Sequence, residues 1–200
     1  MSDLALDLPM QLLALTQQCM VASNAKLATD AGEAPSVDIC KLVGAYFWRA
    51  DMDIDCDGKQ TAQCNIAADP SFSDQTSIAD SNGNPLDAAH LPYIVIPQAS
   101  ARFDLSTAGI EQGALAIVLY AGKLSYGVFG DEGPADIIGE GSYAMADSLG
   151  IDPDPATGGV DSGATYIVFT GKAAEVDPVE SHDAAVMLGA SLAKQLLSDN

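Results

Sequence analysis

The chain has 200 residues, 48% of them hydrophobic, with 18 Gly and 10 Pro, a composition that supplies one filled core in a turn-rich globule and excludes a disordered polymer. Against 28 Asp and Glu stand only 8 Lys and Arg, a formal charge of −20. A field of that sign repels nucleic-acid phosphates and attracts polycations, and no window offers the roughly 20 uninterrupted apolar residues of a membrane-spanning helix, so neither nucleic acid nor membrane is expected as a partner.

The N-terminus, MSDLALDLPMQLLALTQQ, has an apolar centre but carries acids where an export signal would carry Lys or Arg. Either an export signal has been removed and replaced by a starting Met, or the protein is not exported by that route; the expectation carried forward is a secreted protein. Residues 9–22 space Leu12, Leu13, Leu15, Cys19 and Met20 at near-helical intervals behind Pro9, which predicts a short amphipathic helix lying on the main body. Residues 23–37 read as a loop. Cys40 to Trp48 is an apolar and aromatic run suited to a strand.

The next segment, DMDIDCDG, alternates Asp51, Asp53, Asp55 and Asp57 with Met52, Ile54 and Cys56. In an extended strand that alternation gathers the four acids on one face. Such a row is costly unless a cation, a set of donors or open solvent compensates it, so it points to binding. Calcium is one candidate, because Asp53, Asp55, Asp57 and Gly58 match the first half of an EF-hand loop. Position twelve is Cys64, however, where a bidentate Glu is required. Polycation binding fits better, and no metal ligand set is assigned.

Four cysteines, Cys19, Cys40, Cys56 and Cys64, lie in the first third of the chain and allow three pairings. An even, clustered set without CxxC or a neighbouring His favours disulfides over zinc, with Cys56–Cys64 closing the acidic loop and Cys19–Cys40 pinning the N-terminal segment.

Residues 65–90 form a long polar excursion, of the kind that is commonly functional in a compact domain. Leu91 to Pro97 and Leu115 to Tyr120 are short apolar strands, and Ala121-Gly122 turns the second into a hairpin reaching residue 130. Its outgoing arm (Leu124, Tyr126, Val128, Phe129) ends in Gly130-Asp131-Glu132-Gly133-Pro134, and Ile137-Ile138 leads to Gly139-Glu140-Gly141. Asp131 and Glu140 thus stand at the ends of two structured pieces with glycines on both sides. Ser142 to Leu149 predicts a helix capped by Ser142 and stopped by Gly150. A loop over 151–163, a buried strand over Thr165 to Phe169 and an amphipathic helix over Ser181 to Leu197 complete the chain. Short strands with peripheral helices indicate a mainly β protein built on a compact barrel.

The inventory of reactive groups is narrow. There is no GxSxG elbow, Walker A loop or HExxH, and the two histidines, His90 and His182, are scattered. Carboxylates remain, and a carboxylate pair suits glycoside hydrolysis, in which one acid protonates the leaving oxygen and the other activates water or attacks carbon. Asp131 and Glu140 are the candidates.

With these segments in view, the chain resembles the fungal-type chitosanase family, which also occurs in bacteria. The resemblance is carried by DMDIDCDG (51–58) with Cys64, LPYIVIP (91–97), YGVFGDEGPADIIGEGSYAMA (126–146) and TYIVF (165–169). It implies a six-stranded barrel of the double-psi type over residues 38–172, within one hydrolase domain of residues 1–200. The N-terminal helix and loop (1–37) and the C-terminal helix (181–198) flank that barrel. It implies endo-hydrolysis of the β-1,4 bonds of chitosan with inversion, without a cofactor, by a monomer. The catalytic Asp of the family's FGD motif falls on Asp131 and the catalytic Glu of its GEAS motif on Glu140, with Gly141 in the alanine position. Glu140 is then the general acid and Asp131 the general base. Asp51, Asp53, Asp55 and Asp57, with Tyr126 and Phe129, are expected to bind substrate, the acids by attracting protonated sugar amines. The alternatives are a non-catalytic carbohydrate- or calcium-binding module on the same fold, and a hydrolase of neutral β-glucan.

Overall fold

The computed structural model describes residues 7–200, so the first part of the N-terminal segment lies outside it. Twelve elements follow in order: α1 (Leu8–Leu15), β1 (Cys40–Leu42), β2 (Ala45–Asp55), β3 (Tyr93–Pro97), α2 (Leu105–Ala108), β4 (Leu115–Tyr120), β5 (Lys123–Gly133), β6 (Glu140–Ser142), α3 (Tyr143–Leu149), β7 (Val160–Phe169), a 3₁₀ turn (Lys172–Ala174) and α4 (His182–Asp199).

The strands hydrogen-bond in the order β1-β2-β6-β3-β5-β4-β7, and β7 returns to pair with β2. Six strands therefore close on themselves, with β1 attached outside the ring. This is the expected mainly β barrel with peripheral helices. Closure leaves no open edge among the six. Two of the pairings, β2–β6 and β3–β5, are parallel, so the chain crosses over the barrel to make them. Trp48 and Tyr166 stack inside it, with ring centroids 5.4 Å apart.

Several local predictions hold to the residue. Ala121 (φ 47°) and Gly122 (φ 80°) form the two-residue turn of the β4–β5 hairpin, both in the left-handed region that such a turn requires. Ser142 Oγ accepts from Met145 N at 3.1 Å and caps α3, and Gly150 ends it in the left-handed conformation. Ser181 caps α4 in the same way. The disulfides are Cys19–Cys40 and Cys56–Cys64, as expected.

Others are corrected. The first helix stops at Leu15 and does not run to residue 22, because Cys19 is bonded to Cys40 and the chain from Val21 lies extended beside β1. It packs on α4. The apolar run 40–48 is two strands, folded back at Val43-Gly44, and the second runs straight on through Asp55. The strand carrying Asp131 does not break at Gly130 but continues to Gly133, so Asp131 lies inside β5. Ile137 and Ile138 form no strand; Ile137 bridges Ala28 in the N-terminal loop.

Candidate active site

The acidic row is built by β2. Its antiparallel ladder with β7 reaches Ala50↔Ala164, shifts register, and resumes at Met52↔Val160. The irregularity falls at Asp51, and from Asp53 β2 also pairs in parallel with β6. The pairing Asp53↔Glu140 sets these two acids side by side. On the other flank of β6, Glu140 is level with Val95 of β3, and Val95 is level with Asp131 of β5. Four neighbouring strands thus carry one transverse row: Asp53, Glu140, Val95, Asp131. With strands about 4.8 Å apart, the Cα atoms of Glu140 and Asp131 are two spacings, about 10 Å, from each other.

All four residues line one cleft of about 470 Å³, together with Asp55, Asp57, Asp69, Glu132, Pro155, Ala156 and Gly158. The sequence-predicted residues divide accordingly. Asp53, Asp55, Asp57, Asp131 and Glu140 meet in the cleft. Asp51 does not line it and is buried, 4% exposed. Phe129 is a core residue, 1% exposed, and Tyr126 lies under α4, where a Cβ on Gly189 would come within 2.2 Å of its ring. Neither aromatic lines the cleft. An EF-hand loop is not formed, since Asp53 and Asp55 sit in a strand.

Each acid is held differently. Asp131, 7% exposed, accepts at Oδ1 from the main-chain amides of Ser77 (2.8 Å) and Glu132 (2.7 Å), which fixes the plane of its carboxyl. Asp55 Oδ1 accepts from Asp57 N at 2.7 Å, and Asp57 Oδ1 from Ser73 N at 2.7 Å. The hydroxyl of Tyr93 donates to Asp57 O at 3.0 Å. The polar excursion 65–90 is therefore part of the site, because it supplies the Ser73 and Ser77 amides.

The glycines serve packing more than access. A Cβ on Gly130 would lie 2.6 Å from the Tyr93 ring, and one on Gly141 would press on Met145 and Met52. Ser142, fully buried, links β6 to β3 by donating to Leu91 O and accepting from Tyr93 N.

Among the described residues the ion pairs are Lys26–Asp38 and Lys59–Asp87, with His90 Nδ1 also 2.9 Å from Asp87 Oδ1, and none of these contacts reaches the cleft acids. Burial, with Asp53, Asp131 and Asp57 adding repulsion, lifts Glu140 to about 7. Burial, then Asp53 and Asp30, lifts Asp51 to about 7 as well. Asp53, Asp55 and Asp57 are raised too, each first by burial.

These shifts have a definite sign. The folded protein keeps protons on Glu140 and Asp51 that the unfolded chain releases at the ordinary values of 4.5 and 3.8. The stabilisation is complete below those values and is lost as pH rises through about 7. Melting temperature in a chelator-containing buffer is expected to fall across that window, and Asp51→Asn to flatten the fall by on the order of 2 kcal/mol, a shift of about 4–8 °C. Identical profiles for the two proteins would refute the assignment of that slope to Asp51.

Sequence reasoning missed Val95, Asp30, Asp69, Ser73 and Ser77. Asp69 had a weak signal as an acid in a long excursion. The serines contribute backbone amides, which leave no trace in residue type.

Comparison with known proteins bears on this arrangement. A family described as fungal chitosanase of glycosyl hydrolase group 75 matches residues 52–194. Among curated proteins, endo-chitosanase B of Aspergillus oryzae is 36% identical over 137 residues, covering 64% of this chain and 57% of the relative. Endo-chitosanase C of the same species is 35% identical over 131 residues, covering 64% and 32%. An endo-chitosanase of Aspergillus fumigatus is 31% identical over 130 residues, covering 59% and 55%. The matched part is thus between a third and somewhat over half of each relative's length.

Proposed function

Because the chain belongs to the fungal chitosanase family, glycosyl hydrolase group 75, we propose that it is an endo-chitosanase that cleaves β-1,4 bonds with inversion, using Glu140 as general acid and Asp131 as general base. The observation that carries this reading is the transverse row Asp53, Glu140, Val95, Asp131 inside one acid-walled cleft.

Glu140 is suited to the acid's part. With its carboxyl lifted to about 7 it still holds a proton in mildly acidic and neutral solution, and it delivers that proton to the leaving glycosidic oxygen. Asp131 is suited to the base's part, since two amides orient Oδ1 and the carboxylate takes a proton from the water that attacks the anomeric carbon. The apolar Val95, 5% exposed, separates the two. A Cα spacing of about 10 Å leaves room for the carboxyl separation of about 6.5–9.5 Å that an inverting pair needs to admit a water. After one turnover Glu140 is ionised and Asp131 protonated, and exchange with solvent restores both. The alkaline limb of the rate profile is expected to fall as pH passes about 7, where Glu140 loses its proton.

Asp53, Asp55 and Asp57 then form the subsites for cationic sugars, holding the ammonium groups of glucosamine units along the cleft, while Asp51, buried and protonated up to about 7, does not line it. Tyr126 and Phe129 have no contact role in this scheme and serve the packing of β5. The chain acts as a single monomeric domain outside the cell, where its two disulfides persist. No helix among the described residues is long and apolar enough to cross a membrane.

The test is oligomer release from chitosan at low and high ionic strength, with a highly acetylated polymer and a neutral β-glucan in parallel. Cleavage of chitosan is expected to weaken several-fold with added salt and to exceed cleavage of the other two polymers. Salt-insensitive cleavage of all three would reject the electrostatic cleft, and chitosan binding without any product would reject the enzyme in favour of a binding module.

A further inference from the structure

Asp30, Asp51 and Asp53 bring one carboxylate oxygen each to within 4.8 Å of one another. A second trio, Asp55, Asp57 and Asp131, is equally close, but there each residue has an oxygen engaged by a backbone amide. The first trio differs in one respect. Asp51 is 4% exposed and its Oδ1 is buried with no hydrogen-bond partner. An isolated buried carboxylate oxygen is costly, and the two nearest acids only add repulsion.

The backbone is shaped around that oxygen. Gly139 adopts φ 124°, and a Cβ there would fall 1.9 Å from Asp51 Oδ1, so the absence of a side chain leaves the oxygen its place. Asp30 comes from the loop that bridges to Ile137, and Asp53 from β2, so two chain segments and a strand converge. Asp30 and Asp53 are exposed and open the trio to solvent.

We infer that Asp30, Asp51 and Asp53 form a binding site for a divalent cation of oxygen-ligand chemistry, calcium being the ion that suits it. Three carboxylate oxygens within this span can all reach one ion at about 2.3–2.6 Å, with water completing the shell. A sugar ammonium is the weaker candidate, because Asp51 is 4% exposed and does not line the cleft, which leaves no approach for a bulky ring, while a bare ion can enter past the exposed Asp30 and Asp53. The ion satisfies Asp51 and ties the N-terminal loop to the segment that carries Glu140.

The experiment is thermal melting of the intact, chelator-treated protein above neutral pH, with Ca²⁺, Mg²⁺ or NaCl of matched ionic strength, backed by calorimetric titration with Ca²⁺. At a hundredfold excess over the dissociation constant, Ca²⁺ is expected to raise the melting temperature by about 5–10 °C beyond the salt control. Asp51→Asn and Asp30→Asn are expected to lose that shift while Asp57→Asn keeps it. Asp51→Asn is near-isosteric and is expected to melt no lower than wild type in chelator, in which case its loss of response reports binding and not misfolding. A Ca²⁺ effect no larger than that of NaCl, or one that survives in Asp51→Asn, overturns the site. So does one that depends on Asp57 alone, which would put the ion in the second trio.

Discussion

Glu140→Gln is expected to slow chitosan cleavage by about 10²–10⁴-fold, the usual contribution of a positioned proton donor, which corresponds to about 3–5 kcal/mol of lost transition-state stabilisation. The substitution keeps the shape of a half-buried side chain that fits between Asp53 and Val95 and removes only its proton. The expected signature is therefore a fall in kcat with little change in KM, and loss of the alkaline limb that Glu140 imposes near 7. Asp131→Asn should lose a similar factor, its remaining carbonyl oxygen still able to accept from Ser77 and Glu132. Melting temperatures of both variants separate chemistry from folding. Since a neutral amide cannot carry the charge that burial opposes, Glu140→Gln should melt no lower than wild type above neutral pH. Activity of Glu140→Gln within threefold of wild type would remove Glu140 from the mechanism.

Gly139→Ala is the substitution with the largest expected effect on stability. Residue 139 has φ 124°, which L side chains rarely adopt, and its added methyl would meet Asp51 Oδ1 at 1.9 Å and Ala50 Cβ at 3.1 Å. Asp51 is buried, so its carboxyl can move aside only by repacking its surroundings. The carbonyl of Gly139 also accepts from Asp53 N at 2.8 Å, so a backbone shift would disturb the start of the β2–β6 pairing. Strain and overpacking together should cost on the order of 4 kcal/mol, lowering the melting temperature by about 8–16 °C. Gly44→Ala is the matched control: its φ is 81° but nothing lies within 4 Å of the new methyl. It should cost about 1 kcal/mol, the backbone term alone. Equal melting of the two variants would mean that the contact with Asp51 does not matter.

How much of this was readable in the sequence depended on whether the determinant was local. The α3 cap and stop, the Ala121-Gly122 turn and the two disulfides are set by residues close in sequence or few in number, and they were found. Barrel closure rests on β2 meeting β7 more than a hundred residues away; the run of short strands suggested a barrel, but the number of strands in it came only from the family resemblance. The length of β2 was hidden because Val43-Gly44 reads as part of an apolar run and the aspartates after Trp48 read as a new segment. Gly130 looked like a strand end, yet it lies flat against Tyr93 in mid-strand.

The acids show the same division. Alternation along 51–57 placed the row on one face, but which members reach the cleft is decided by the irregularity at Asp51 and by the arrival of β6, neither of which leaves a local signal. Val95 was indistinguishable from its apolar neighbours, and its level in the sheet between Glu140 and Asp131 comes from two strand registers at once. Tyr126 was drawn toward the site by its nearness to Asp131 in sequence, although it faces α4.

In the proposed mechanism Glu140 and Asp131 act from opposite sides of one β-1,4 bond with a water between them. Time-resolved proton NMR of a short, fully deacetylated chitosan oligomer during cleavage reads this out from the configuration of each newly formed reducing end. The α-anomer is expected to appear first, with β following only by mutarotation. Reducing ends born as β, or none at all, would contradict that mechanism.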